Sequence, residues 1–221
     1  PCRRARAVAV VRGTDDQGEQ YRYQKLLLAT GGTPNKLPFD DEGVVYYRTV
    51  EDYRAVRDLC EKYDRALVIG GGFIGAEIAA GLAMNDTDVT MVFPEDGING
   101  LMFPAHLSQH VTRRYGAKGV DVKAGVLAKG ISKDGDAFVV QLDNGDEIQA
   151  DFVLAGIGIA PNVELASHAG LDVDNGIVVN EYCQTNHPDV YAAGDVARFH
   201  NPLLDENIRV EHEDNANSMG A

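Results

Sequence analysis

The sequence predicts an α/β protein organised on a parallel sheet, and three observations carry that prediction. Residues 66–69 (Ala-Leu-Val-Ile) are a short apolar run of the kind shown by a strand buried on both faces. Gly70, Gly72 and Gly75 follow as G-x-G-x-x-G, and from Ala76 onward Ile78, Ala79, Leu82 and Ala83 recur at helical spacing. A second buried-type run, 89–93, then leads to Glu95 and Asp96. Strand, glycine triplet, helix, strand and acid stand in the order of one βαβ unit.

Each glycine has a physical task at such a junction. Gly70 permits the tight turn, Gly72 lets a pyrophosphate approach the backbone, and Gly75 lets the helix pack close to the strand. The anion would sit at the helix N-terminus, where unpaired N–H groups and the macrodipole favour negative charge. Glu95 lies 20 residues beyond Gly75, about where a carboxylate meets the ribose hydroxyls of an adenosine. With Asp96 beside it, and no Lys or Arg before Arg113, the site is expected to take NAD(H) in preference to NADP(H). Glu77 reads from its position as an acid in the first helical turn, placed either for the dipole or toward a ligand.

The other elements follow in order. Residues 7–11 and 21–28 read as extended segments around a turn at 13–18. The second runs into Thr30-Gly31-Gly32, an abrupt strand end that either turns closely beneath a ligand or is a plain loop. Thr49 with Asp52 three residues on has the pattern of a capping box. The helix it opens would bury Tyr53, Val56, Leu59, Cys60 and Tyr63. A Gly/Asn/Pro-rich loop (97–104) precedes a helix from Pro104 to residue 117, with a glycine stop at Gly119. His106 and His110 stand i, i+4 there, but H-E-x-x-H is absent, and they read as partly exposed histidines with no metal between them.

From 120 to 148 the pattern is a strand meander, 120–122, 126–131, 137–142 and 147–148, with Asn144-Gly145 in the last turn. A buried-type strand at 152–155 runs into residues 156–162 (GIGIAPN), where Asn162 is expected to cap a short helix containing Val163, Leu165 and Ala166. Residues 190–195 form a strand ending in Gly194-Asp195, either a carboxylate set beside a ligand hydroxyl or an ordinary turn. Residues 215–221 read as the start of a helix.

Composition narrows the classes. The 221 residues suffice for one large or two modest domains, and a 44% hydrophobic content for a sizeable core. No apolar run nears the roughly 20 residues that cross a bilayer, and no N-terminal stretch has the form of a signal peptide. A net charge of −14 argues against nucleic acid and anionic membrane as partners. The acids at 40–42, and Glu211, Glu213 and Asp214, allow a plain reading as solvated surface. Cys2, Cys60 and Cys183 form no CxxC, so reduced thiols in a cytoplasmic protein are expected.

Four segments together resemble the FAD-dependent pyridine nucleotide–disulfide oxidoreductase superfamily: LLLATGGTP (26–34), VIGGGFIGAE (68–77), GIGIAPN (156–162) and VYAAGD (190–195). Two more, VFPEDG (92–97) and RVEHEDNA (209–216), look most like its apoptosis-inducing-factor and ferredoxin-reductase-like branch. The resemblance implies a Rossmann-like FAD/NAD(P)-binding fold of three ββα layers. A NAD domain (46–176) would be inserted into an FAD domain (1–45 and 177–221). On the matching positions it implies that Phe73 and Glu77 touch the nicotinamide side of the dinucleotide and that Glu95 holds the adenosine ribose. Gly70, Gly72, Ile74, Gly75, Gly156 and Gly158 would complete that site. Thr30, Gly31 and Asp195 would face FAD, with Glu211 and His212 near its isoalloxazine.

The family's first FAD-binding G-x-G-x-x-G and its C-terminal domain have no counterpart in the sequence, so the chain reads as a piece of a longer flavoprotein. The implied activity is hydride transfer from NADH to FAD, then electron transfer to an external acceptor such as a small redox protein. The cofactors would supply the chemistry, with no catalytic side chain or metal. A nucleotide-binding module without redox turnover is the alternative. Thioredoxin reductases carry a CxxC ahead of the glycine motif, where this sequence has only Cys60. Glutathione-reductase-type enzymes carry theirs in the N-terminal part, so that option stays open. Some relatives bind DNA, which the charge disfavours here.

Overall fold

The computed structural model describes residues 11–39 and 42–221, so the expected strand residues 7–10, Cys2 and the acids Asp40 and Asp41 lie outside the described residues. Pro34–Ile159 forms one compact unit; Ala160–Ala221 and the chain up to Thr33 form the other. Four short strands come first: β1 (Val11–Thr14), β2 (Gln20–Tyr23), β3 (Leu26–Leu28) and β4 (Gly32–Pro34). β1 and β2 are an antiparallel hairpin about the expected turn, and the single extended segment expected at 21–28 is divided between β2 and β3.

The next unit holds β5 (Val45–Tyr46), α1 (Val50–Cys60), β6 (Arg65–Ile69), α2 (Phe73–Ala83), β7 (Asp88–Phe93), α3 (Ala105–Gly116), β8 (Asp121–Ala124), β9 (Ala128–Asp134), β10 (Ala137–Leu142), β11 (Glu147–Ala150) and β12 (Phe152–Ala155). Five strands pair in parallel in the order β5-β12-β6-β7-β8. Alternate residues of each strand face opposite layers. Ala66, Val68, Met91, Phe93 and Leu154 pack with Val56, Ala76, Ala79 and Leu82 of the helices. Leu67, Ile69, Val92 and Val153 pack with Phe138, Val140 and Leu142 of the antiparallel sheet β11-β10-β9. Both faces being dry, the strands read as unbroken apolar runs. The result is the three-layer ββα Rossmann-like fold.

Thr49 and Asp52 make the capping box of α1: the Asp52 N–H donates to Thr49 Oγ1 (3.2 Å) and the Thr49 N–H to Asp52 Oδ2 (2.6 Å). Val56 is buried and Leu59, Cys60 and Tyr63 are half-buried, but Tyr53 is exposed, lying beside the Arg57 guanidinium. The strand expected at 120–122 is not part of the meander. As β8 it follows a helix, and so returns parallel to β7 at the edge of the main sheet.

The remaining elements are β13 (Ile159–Pro161), α4 (Glu164–His168), β14 (Ile177–Val179), β15 (Val190–Ala192), a 3-10 turn (Gly194–Val196), β16 (Ala197–Asn201), β17 (Glu206–Arg209) and α5 (Glu213–Gly220). β15 pairs in parallel with β3, and β16 lies between β14 and β17. Leu28, Ala166, Leu171, Ile177, Val190, Ala192 and Val196 form the core of this unit. Asn162 does not cap α4, whose N-cap is Val163. Its side chain is taken up elsewhere, donating to the Thr30 carbonyl (2.9 Å) and accepting from Thr33 Oγ1 (2.8 Å).

The two compact units divide at 33/34 and 159/160. Residues 34–39 and 42–45 belong with the parallel sheet because Leu37 is buried in its core and its N–H donates to the Tyr46 hydroxyl (2.8 Å). Residues 160–176 belong with the other unit because Ala166 and Leu171 enter its core. Among the described residues no helix is long and apolar enough to cross a membrane.

Arg65 at the start of β6 pairs with Asp151, just before β12, at 2.6 Å, and holds its carboxyl below the usual range. A depressed acid stabilises the fold above its unfolded pKa of about 3.9, and that contribution is lost as pH falls through the folded value. Asp151→Asn should therefore lower the melting temperature at pH 7, and by less at a pH well below about 4, where the carboxyl is protonated in the folded protein as well. Paired thermal melts at the two pH values check this.

Candidate functional site

From β6 the sheet is built outward through β7 and β8, while β12 and β5 lie on its other side. The carboxyl ends of β6 and β12 therefore border the point where the winding direction switches, and in open α/β sheets ligands enter there. The Gly156 N–H donates to the Ile69 carbonyl (2.8 Å), which sets the two strand ends against each other.

The glycines at this junction fall into two kinds. Gly70 has φ +118°, and a Cβ on it would stand 2.3 Å from the Gly156 carbonyl oxygen. A Cβ on Gly75 would stand 2.1 Å from the Gly70 oxygen, and one on Gly71 2.6 Å from the Phe93 ring. These positions are closed by the protein itself. Gly72 is different: it is exposed, it is the N-cap of α2, and nothing lies within 4 Å of its Cβ position. No side chain caps α2, so its first N–H groups await an acceptor. A dinucleotide pyrophosphate fits this cradle.

α2 starts at Phe73, three residues before the expected Ala76, so Ile74 and Gly75 lie inside it and its first turn holds no acid. Glu77 is thus in the second turn, exposed, and the helix-start reading loses its basis because the dipole effect falls off within one turn. Tyr115 on α3 donates to the Ala76 carbonyl at 3.0 Å; burial pushes its hydroxyl pKa up, and the nearby Glu77 charge adds to that. Gly156 packs on the glycine loop, whereas Gly158 (φ +87°) is exposed and its carbonyl accepts from the Asn35 N–H at 2.9 Å.

Past the end of β7, Glu95 and Asp96 line a cleft with Gly97, Gly100, Ala105, Ser108 and Gln109, a wall without a basic side chain. The loop forming it is pinned by residues the sequence reading passed over. Ser108 Oγ donates to the Ile98 carbonyl (2.8 Å), and Thr112 Oγ1 accepts from the Ile98 N–H (2.9 Å). The Asn99 N–H then donates to the Gly71 carbonyl (2.7 Å). Two hydroxyl residues at i, i+4 on one helix face were the available signal. His106 and His110 are both exposed, and the described residues contain no cluster of three or more metal-type ligands.

In the other unit, Gly31 has φ +61° and its carbonyl accepts from the Asn162 N–H (2.9 Å), while Thr30 Oγ1 donates to the Asn162 carbonyl (2.7 Å). The Asp195 carbonyl accepts from Arg209 Nη1 (3.0 Å), which also pairs with Glu211 (2.6 Å). Arg209, unremarked in the sequence, thus joins two of the expected flavin-side residues. His212 caps α5, its Nδ1 accepting from the Asp214 N–H (3.1 Å). α4 opens on Val163 and α5 on His212, so the described residues of this unit contain no glycine cradle for the pyrophosphate of FAD.

A family model described as pyridine nucleotide-disulphide oxidoreductase matches residues 3–220. The chain belongs to this family. Within it, the anthranilate 1,2-dioxygenase system ferredoxin–NAD(+) reductase component of Burkholderia cepacia is 40% identical over 200 residues, 89% of this chain and 49% of that protein. Apoptosis-inducing factor 1 of Dictyostelium discoideum is 35% identical, over 93% of this chain and 41% of that protein. Among solved structures, the covalent putidaredoxin reductase–putidaredoxin complex superposes with a TM-score of 0.86 at 37% identity, over 93% of this chain and 51% of that one. The chain spans about half the length of the curated relatives it matches.

The two kinds of glycine should respond oppositely to a methyl group. Gly75→Ala, forced against backbone, should cost about 1–3 kcal/mol or more. Gly72→Ala, which meets no neighbour, should cost no more than the about 0.5–1 kcal/mol of a poorer N-cap residue, yet weaken dinucleotide binding. Denaturant unfolding and NADH titration of both variants check this.

Proposed function

We propose that Pro34–Ile159 is a NAD(H)-binding domain and that the other unit is part of an FAD domain. The whole protein would pass a hydride from NADH to flavin and electrons onward to a small redox protein. The observation that carries the first part is the open Gly72 position at the uncapped start of α2. The names of the relatives support the second: one is a ferredoxin–NAD(+) reductase component, and another was solved in covalent complex with putidaredoxin.

Bound nicotinamide and flavin would supply the redox chemistry; the chain's residues bind, orient and exclude water. Gly70, Gly72, Ile74 and Gly75 shape the phosphate cradle, with Gly156 packed against it and Gly158 at its rim. Glu95 accepts the ribose hydroxyls, while Phe73 and Glu77 border the nicotinamide. Thr30, Gly31, Asp195, Glu211 and His212 are assigned to the flavin side. The described residues of that unit hold no phosphate cradle. The same observation favours a second reading for this chain alone, a nucleotide-binding module without turnover. Net charge −14 tells against nucleic acid and anionic membrane as partners. The free thiols of Cys60 and Cys183 fit a reducing compartment such as the cytoplasm.

The acidic cleft should set cofactor choice. A carboxylate accepts ribose hydroxyl protons and repels a 2′-phosphate. A hydrogen bond to a charged group contributes about 1.5–3 kcal/mol, so NADH should bind at least about tenfold more tightly than NADPH. Removing the carboxylate, as in Glu95→Ala, should narrow that ratio. Fluorescence titrations with both nucleotides check this; equal or tighter NADPH binding by wild type would overturn the assignment of Glu95.

A further inference from the structure

We propose that Phe103 is a positioning residue for the dinucleotide site, holding the ring of Phe73 in place before any nucleotide arrives. Phe73 is the first residue of α2 and is 39% exposed, so burial alone does not fix its ring. The Phe103 ring meets it edge to face, with centroids 6.2 Å apart and planes at 75°, the geometry in which a ring edge points at a π face.

Phe103 is itself held by a chain of contacts that ends on the glycine loop. Its N–H donates to the Asn99 carbonyl (2.8 Å), and the Asn99 N–H donates to the Gly71 carbonyl (2.7 Å). Ile98 is fastened to α3 by Ser108 and Thr112. One loop therefore grips the cradle twice, by backbone at Gly71 and by an aromatic ring at Phe73. That loop carries local costs: Asn99 has φ +55°, and its buried Oδ1 has no hydrogen-bond partner among the described residues. Such costs persist where the surrounding contacts over-determine a conformation, and sites that need a preset geometry collect them.

The inference rests on the dinucleotide reading of Gly72 and Phe73. Its test is a double-mutant cycle on the full chain, with wild type, Phe103→Leu, Phe73→Leu and the double variant. NADH affinity and melting temperature are measured for each, with the Phe73 ring proton shifts recorded without nucleotide. Leucine keeps the apolar bulk but removes the ring pair. Phe103→Leu should weaken NADH binding about 2- to 12-fold, the range an aromatic pair supports. It should move the Phe73 ring resonances in the free protein, and it should produce no further loss when Phe73 is already leucine. The ring pair also couples in stability, so any fall in melting temperature should be larger in wild type than when Phe73 is already leucine. An equal loss of affinity in both backgrounds, or none in either while wild type binds, would remove Phe103 from the site and leave the dinucleotide reading standing. Failure of folded wild type to bind NADH would overturn both.

Discussion

At the carboxyl ends of β6 and β12 two loops touch backbone to backbone, and the candidate site depends on that contact. The Gly156 carbonyl lies where a Cβ on Gly70 would be, and the Gly70 carbonyl lies where a Cβ on Gly75 would be. A chain can pass this closely only without side chains, and with Gly70 in the positive-φ region. The contact brings the start of α2 directly onto the strand ends, so the helix presents its free N–H groups to the crevice between β6 and β12. Without it α2 would ride higher on the sheet, and the cradle would lose its floor.

The charge pattern around the cradle completes the picture. The open end of α2 favours an anion, and a few residues past β7 the wall turns acidic, with Glu95 and Asp96. The proposed NAD(H) assignment rests on this pairing of an anion-favouring helix end with an acidic wall. The Ile98–Asn99 segment sits between these two regions. It is fastened to α3 by Ser108 and Thr112 and to the glycine loop by Asn99.

How much of this was legible in the sequence follows from which forces were local. β6, α2, β7 and β12 could be read because dry strands leave apolar runs and steric glycines leave a fixed spacing. The capping box of α1 lies within four residues and was equally plain. What escaped was set by partners distant in sequence. β8 looked like the first strand of a meander until its parallel pairing with β7 was seen. Asn162 has the residue type of a cap, but the Thr30 carbonyl and Thr33 hydroxyl, about 130 positions away, claim its side chain. Glu77 was misplaced by one turn because apolar periodicity cannot show that a helix begins on the glycines themselves. Arg209, Asn99 and Phe103 carried no motif at all; their roles come from what they touch.

The central claim is that the first N–H groups of α2 receive a dinucleotide. The most direct measurement is a titration of 15N-labelled chain with NAD+, following backbone amide shifts. The largest changes should fall on Gly71, Gly72, Phe73 and Ile74, with smaller ones at Glu95, Asp96 and Gly156. Saturable binding whose shifts cluster elsewhere, or no shifts at millimolar NAD+ in a folded chain, would contradict it.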